Sequence, residues 1–514
     1  MTSKRDINTS PMKKILYLFL VLTLVSCSTG TNEQLPKKVI ITGKILNPDP
    51  DIFKVNFSVN RIGIGKERLS SKLANDGSFR VSYESYVPTD VYLIELNFLI
   101  LTHPGDSIHV EFNGGKGSRT EKQKSIKFSG DNSTLNNEAA LFQQFYYSSN
   151  LYSDQDKRQT ALKEYNEARY KISTDSLYRE SLLFQKKFII ENNPSNETKK
   201  WIGTFLALDY YRQLIEYPIL HSIVNNINQN EFNLSISYYD FMKDLFPIDK
   251  HSLISGAALT GFVNAYGIYI YEKIKNDNRI FFSSIDTLKK YPDKMDSLTF
   301  FGTIKYTNNP LLRQMVLTEM LNQRIEQSEM RMFKRHEKQI NSIITEPFLS
   351  KPLFTQYQQT LARLDNPKLA SDVLIDKFHG TSLRSEIDSI VKINKGKVIY
   401  MDCWATWCGP CIAEMPNSKI LIDEYKTKNV AFVFICLDSE ERNWKAVLSK
   451  YSLAGQHYFL SKNQSNDFRD IFGITGVPHY ILFDREGNIV KNGAESPLQI
   501  KDNINKLLDS KYVP

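Results

Sequence analysis

The chain has 514 residues, 41% of them hydrophobic and 24% charged, which excludes a collagen-like, low-complexity or wholly disordered polypeptide. That length exceeds one ordinary domain and points to two or three. Its 65 Lys and Arg against 57 Asp and Glu leave a net charge of only +8 with no long basic run, so a nucleic-acid partner is not expected.

At the N-terminus, Lys13-Lys14 precedes an apolar run from Ile15 to Val25, of signal-peptide length and short for a bilayer span. The run ends in Leu24-Val25-Ser26-Cys27, which resembles a bacterial lipobox. The resemblance implies a lipoprotein signal peptide over 1–27, cleavage before a lipidated Cys27, and an acyl anchor in place of a membrane span. The other reading is an ordinary signal sequence ending beside a stray cysteine. Met12 offers a compact alternative start, and residues 28–32 read as a polar tether.

From Val39 to about Phe128 the hydrophobic pattern has period two. The segments VIITGKIL, FKVNFSV, SFRVSY, VYLIEL and SIHVEF alternate like half-buried strands, with turn signals at Asn75-Asp76-Gly77 and Pro104-Gly105-Asp106. A small antiparallel β-sandwich over 37–130 is expected. It holds no cluster of His, Cys or carboxylates, so no chemistry is assigned to it.

Over 131–370 the period becomes helical, as in TKKWIGTFLALDYYRQLIEY. The stretch 252–271, SLISGAALTGFVNAYGIYIY, carries no charge. Asn264 and its many small residues favour a buried helix, packed closely through Gly256, Gly261 and Gly267, over a membrane span. His221, His251 and His336 have no partners at ligand spacing, so no metal site is expected.

From about Ala370 the pattern is α/β, with continuous apolar strands KVIYMDCW and VAFVFICLD and the order β-α-β-α-β-α-β-β-α. Three of the five cysteines of the chain fall in DCWATWCGPC, 402–411. Cys408-Gly409-Pro410-Cys411 lies where a buried strand gives way to a helix, whose positive end favours a thiolate. Cys408 is expected at the helix start, near solvent, as the attacking thiol. Cys411, one turn further in, is the resolving thiol. A structural zinc site needs a second ligand pair, which is absent. Cys403 and Cys436 sit within apolar strands and are expected to be buried and inert.

WATWCGPC resembles the active site of the thioredoxin fold, and WCGPCIAEMP resembles its TlpA-like branch of envelope thiol-disulfide oxidoreductases, which includes the thioredoxins of cytochrome c maturation. The resemblance covers roughly 371–514 and implies a C-terminal thioredoxin-like domain. A sandwich, a helical middle and such a domain on one lipoprotein also resemble a Bacteroidetes arrangement. By this likeness Trp407 shields the site and Pro416 kinks the active-site helix. Val477-Pro478 forms the cis-proline loop that pairs with substrate. Asp402 and Glu414 match two acids that take the proton of the resolving thiol. His479, following the proline, either lines the site or points outward. The threonine of peroxiredoxins is missing, since Ala405 stands three before Cys408.

Two functions follow. In the first, the protein is an envelope oxidoreductase that reduces protein disulfides through Cys408 and Cys411, needs no cofactor, and is recharged by a membrane thiol carrier from its lipid-anchored, periplasm-facing position. In the second, the β and helical domains hold a partner and the redox domain is accessory.

Overall fold

The computed structural model describes residues 35–510, apart from 51–53, 154, 228–233, 284–286, 288–289 and 378–381. The expected signal peptide and Cys27 lie outside the described residues. The chain from residue 36 onward forms one compact unit with a β-rich N-terminal region, a large helical middle and a C-terminal α/β region.

The first region holds β1 (Lys37–Leu46), β2 (Lys54–Arg61), β3 (Gly65–Lys72), β4 (Ser78–Ser85), β5 (Thr89–Leu93), β6 (Phe98–Thr102), β7 (Ser107–Asn113) and β8 (Lys127–Gly130). They form two four-stranded sheets, ordered β4-β1-β7-β8 and β3-β2-β5-β6. Alternate residues of β1 and β2, among them Val39, Ile41, Val55 and Phe57, meet between the sheets and exclude water. One expectation is corrected: β1 and β7 pair parallel, so the sandwich is not wholly antiparallel. The polar strand β3 lies at a sheet edge, where it needs no hydrophobic alternation. At the opposite edge, β6 is covered by the helix Ser133–Ser148. Asn136 and Gln143 of that helix bond the backbone N–H and C=O of Leu101 and Leu99 at 2.8–2.9 Å, which satisfies the open edge.

The helical region follows, with long helices at Glu167–Asn192, Asn196–Val224, Gly256–Asp277, Pro292–Tyr306, Pro310–Glu326, Arg331–Ile343 and Pro347–Asp365. The uncharged stretch becomes the helix Gly256–Asp277, whose Leu259, Phe262, Val263 and Tyr266 join the central core. No helix among the described residues is long and apolar enough to cross a membrane. The three glycines behave differently. A Cβ on Gly256 would stand 2.1 Å from the Thr89 hydroxyl, and one on Gly261 would stand 3.1 Å from Arg212. At Gly267 nothing lies within 4 Å, so close packing there is corrected: this glycine faces open space.

The last region is a six-stranded sheet ordered β14-β13-β10-β11-β12-β9. Its strands are β9 (Val373–Lys377), β10 (Val398–Trp404), β11 (Val430–Cys436), β12 (Gly455–Phe459), β13 (His479–Phe483) and β14 (Ile489–Asn492). β9 to β12 run parallel to one another, and β13 pairs antiparallel with both β10 and β14. β9 and the helix Leu383–Ile393 extend the α/β order read from the sequence. The other helices are Gly409–Tyr425, Glu441–Tyr451, Lys462–Phe472 and Lys501–Asp509.

The α/β region is fastened to the helical one. Ala446 of the helix Glu441–Tyr451 is buried inside the helical core, beside the helix Pro347–Asp365. Arg442 donates to the Leu364 carbonyl at 3.1 Å and to Asp365 at 2.6 Å. Glu326 pairs with Lys450 and accepts from the Tyr451 hydroxyl at 3.0 Å.

Candidate active site

β10 is buried along its whole length between β11 and β13, and its alternation sorts its residues onto two faces. Val398, Tyr400 and Trp404 share a core with Cys408 and Cys411. Ile399, Met401 and Cys403 belong to the core on the other side. Asp402 has the parity of the first set, so strand geometry turns it toward the cysteine-bearing helix and Cys403 away from it.

Beyond β10 the chain turns through Ala405-Thr406-Trp407 and enters the helix Gly409–Tyr425, with Cys408 as its N-cap residue. Pro410 occupies the first turn, where a missing N–H costs nothing. Pro416 stands inside the helix, where it removes one backbone donor. Cys408 and Cys411 are joined by a disulfide. The backbone N–H of Cys411 donates to Cys408 Sγ at 3.1 Å, as a capped helix end donates to an anion.

Exposure does not separate the two sulfurs, contrary to expectation. Cys408 and Cys411 are each 3% exposed. What distinguishes them is the donor at Cys408, the atom on which a thiolate gains most. Cys403 and Cys436 are both buried free thiols. Burial pushes the Cys436 thiol up to about 12 and the Cys403 thiol well above its usual range, so neither supplies a thiolate near neutral pH.

Asp402 is 4% exposed, and its Oδ1 has no hydrogen-bond partner. Burial, reinforced by the nearby Glu414 charge, raises its carboxyl to about 8. Glu414 is half-buried and accepts from Asn417 Nδ2 at 2.8 Å. The two acids are therefore electrostatic neighbours, although one lies on a strand and the other on the helix above it. The stacked rings of Tyr400 and Tyr480, 5.5 Å apart, complete this wall, and both phenols are pushed above their usual range by burial and by the two carboxylates.

Trp407 is 46% exposed and donates its Nε1–H to the Asp438 carbonyl at 2.8 Å, so it forms an open rim beside the disulfide. The peptide bond Val477-Pro478 is cis, and the next residue begins β13 beside β10. His479 is tied by Nε2 to Asn492 Oδ1 of β14 at 2.7 Å. Among the described residues no group of three His, Cys, Asp or Glu could hold a metal.

No pattern in the sequence points to Gln327, just past the helix Pro310–Glu326, which donates from Nε2 to the Trp407 carbonyl at 3.0 Å. It comes from the helical region, eighty residues before the motif, and no local pattern links the two.

The family model for redoxins matches residues 388–508. The chain is 23% identical to the thiol-disulfide oxidoreductase ResA of Bacillus cereus over 159 residues, which are 30% of this chain and 87% of the relative. It is 30% identical to ResA of Oceanobacillus iheyensis over 115 residues, 22% of this chain and 58% of that one. The α/β region is a TlpA-like member of the thioredoxin family. Among solved structures, the thioredoxin domain of a thiol-disulfide oxidoreductase from Bacteroides vulgatus is 27% identical, with 23% of this chain and 84% of that chain covered and a TM-score of 0.22. The redoxin match and the ResA relatives make the protein a thioredoxin-like thiol-disulfide oxidoreductase, and the β-rich and helical regions lie outside that match.

Proposed function

We propose that the protein reduces disulfides of partner proteins in the cell envelope, with Cys408 as nucleophile and Cys411 as resolving thiol. The observation that carries this reading is the Cys411 N–H aimed at Cys408 Sγ from the first turn of a helix. The Cys408 thiolate attacks one sulfur of the partner disulfide. That S–S bond breaks, and the departing partner thiolate takes a proton from solvent. Cys411 then loses its proton to the Asp402–Glu414 pair and attacks Cys408 Sγ. The second partner thiolate leaves, and the Cys408–Cys411 disulfide remains. Two electrons have passed to the partner, and a membrane thiol carrier supplies two more, its own dithiol becoming a disulfide as the Cys408–Cys411 bond is reduced.

Asp402 suits the proton-accepting role because its carboxyl titrates at about 8 and keeps one oxygen without a partner. Trp407, Val477 and Pro478 line the approach and hold the partner backbone beside Cys408. Lipidation of Cys27 anchors the chain, which accords with the lipobox resemblance, and the envelope location follows from that anchor. The reading also accommodates a role in cytochrome c biogenesis, where apoprotein disulfides need reduction.

Trapping tests it. A Cys411→Ser variant incubated with envelope extract should accumulate covalent adducts on Cys408 that a reductant releases. If such adducts fail to form, or form equally on a Cys408→Ser variant, the reading falls. Labelling with radioactive palmitate should mark the wild type and miss a Cys27→Ser variant; equal labelling would remove the anchor.

A further inference from the structure

A cavity of about 880 Å³ opens in the helical region between the helices Asn196–Val224, Gly256–Asp277, Pro292–Tyr306 and Pro310–Glu326. One wall is a single face of Gly256–Asp277, where Asn264, Gly267 and Tyr271 follow at helical spacing. The facing wall is the stripe Val316, Glu319, Met320 and Gln323 of Pro310–Glu326. Gln323 donates across the groove to Asn264 at 3.4 Å.

The same stripe leads to the redox site. One turn beyond Gln323 stands Gln327, about 6 Å further along the helix direction, and Gln327 holds the carbonyl of Trp407, the residue before Cys408. Its amide nitrogen also lies 3.8 Å from where a Cβ on Gly409 would be. The lining itself stops at Gln323, one turn short of the residue that holds the Trp407 carbonyl, a gap that roughly two residues of extended chain at about 3.3 Å each would bridge.

The lining suits one kind of occupant. Asn264 and Gln323, joined to each other by one hydrogen bond, retain the Asn264 amide donors and the Gln323 carbonyl acceptor, the pairing a peptide group needs, while Tyr271 and Met320 offer apolar area for side chains. Gly267 keeps the floor clear, since no atom lies within 4 Å of where its Cβ would stand. A partner whose disulfide reaches Cys408 carries polypeptide on both sides of its cysteine.

We propose that this groove binds the polypeptide segment flanking the reacting cysteine of the partner, with Gln327 positioning the active-site loop one turn beyond its end. The inference rests on the proposed reduction of protein disulfides. It makes the helical region part of the substrate site, a docking arm fixed to the redox region by the Glu326–Lys450 and Arg442–Asp365 contacts.

Two disulfide-linked peptide pairs of mixed sequence, with two and with eight residues flanking each cysteine, test it on the whole protein. The wild type should reduce the long pair with kcat/KM at least fivefold above the short pair, through KM. Gly267→Leu fills the floor at a helical position that accepts a side chain, and leucine is a better helix former than glycine, so the fold should hold. It should remove the gain for the long pair and leave the short pair unchanged. Gln327→Ala should lower kcat for both pairs about threefold with unchanged thermal stability. Equal kcat/KM for the two pairs in the wild type, or a gain that survives Gly267→Leu, would overturn the groove. An unchanged kcat in Gln327→Ala would remove that residue from the proposal. If neither pair is reduced, the proposed reduction itself fails, an outcome separate from a lost length dependence.

Discussion

Two regions of the molecule each bury an aspartate, and the two are employed differently. Asp90, in β5 of the sandwich, accepts the backbone N–H of Ala257 at 2.8 Å and so caps the helix Gly256–Asp277 from outside, since Ser255 makes no side-chain cap. Burial raises its carboxyl to about 7, against the pull of that hydrogen bond. Asp402, in β10, has no partner at Oδ1, and burial together with Glu414 raises its carboxyl to about 8. Each acid keeps one oxygen without a partner, Asp90 Oδ2 and Asp402 Oδ1. Asp90 commits its other oxygen to a helix end, while Asp402 has Glu414 as a charged neighbour and sits on the strand face turned toward the cysteine-bearing helix. Neither burial nor an unpartnered oxygen by itself marks a catalytic group; a second titratable group and a reactive helix end on the same face are the informative addition.

The largest effect should come from sulfur. Cys408→Ser should lower disulfide turnover by about four orders of magnitude or more, because the nucleophile is gone. Cys411→Ser should permit one attack and then stall as a mixed disulfide, visible by intact mass. After reduction, Cys408 should alkylate faster than Cys411 at neutral pH, because only its sulfur receives a helix-end N–H. Faster modification of Cys411 would reverse the assignment. None of these changes should alter the cap at Asp90, so thermal unfolding of the reduced variants should match that of the reduced wild type.

Next in size is the acid pair. Asp402→Asn or Glu414→Gln should slow resolution of the mixed disulfide by roughly 10- to 100-fold if the lost group is the general base. The double variant should fall short of the product of the two, since both act on one proton. In the wild type the Asp402 carboxyl is mostly protonated at pH 7 and becomes a base as pH rises through about 8. Resolution should therefore quicken with pH and level off above 8, and Asp402→Asn should lose that step. Stopped-flow traces showing the same inflection in Asp402→Asn would leave the acid without this duty.

The difference between the regions also explains what the sequence could reveal. Around Cys408 the chemistry is local: a buried strand, a cysteine pair and a proline helix start lie within fifteen residues, so the pattern announces both fold and site. Asp402 stood out because a carboxylate in an apolar run is costly. The equal burial of Cys408 and Cys411 was not legible, because burial is set by what the rest of the chain packs against the motif, which local spacing does not encode. Gln327 was invisible for the same reason. β3 escaped notice because an edge strand can be polar, and the parallel pairing of β1 with β7 depends on how the chain crosses over, which periodicity does not encode.

The contact between the regions should matter less than the chemistry, but measurably. Glu326→Gln leaves Lys450, whose ammonium is already held below its usual range by burial, without its charge partner. A loss of about 1–2 kcal/mol in unfolding free energy is expected, discounted for partial exposure. No change on denaturant titration would show that the apolar contact at Ala446 suffices.

The smallest effect returns to Asp90 and sharpens the contrast with Asp402. Asp90→Ala removes the carboxylate that accepts the Ala257 N–H at the start of the helix Gly256–Asp277 and should cost about 1–2 kcal/mol, the usual worth of a cap. The sign of its pH dependence follows from the raised carboxyl. A folded value near 7 against an unfolded one near 4 means that the protonated form stabilises the native state. That contribution is complete below pH 4 and is lost as pH rises through 7. The deficit of Asp90→Ala relative to wild type should therefore be largest below pH 4 and shrink steadily between pH 4 and 7. Asp90→Asn keeps the acceptor and cannot ionise, so it should match wild type below pH 4 and exceed it by a margin that grows up to pH 7. Asp402→Asn should follow the same stability trend about one pH unit higher, while also losing the step in resolution. A deficit in Asp90→Ala that stays constant from pH 5 to 8 would mean that the carboxyl is ionised throughout, and that the sandwich end tolerates a buried charge which the redox end does not.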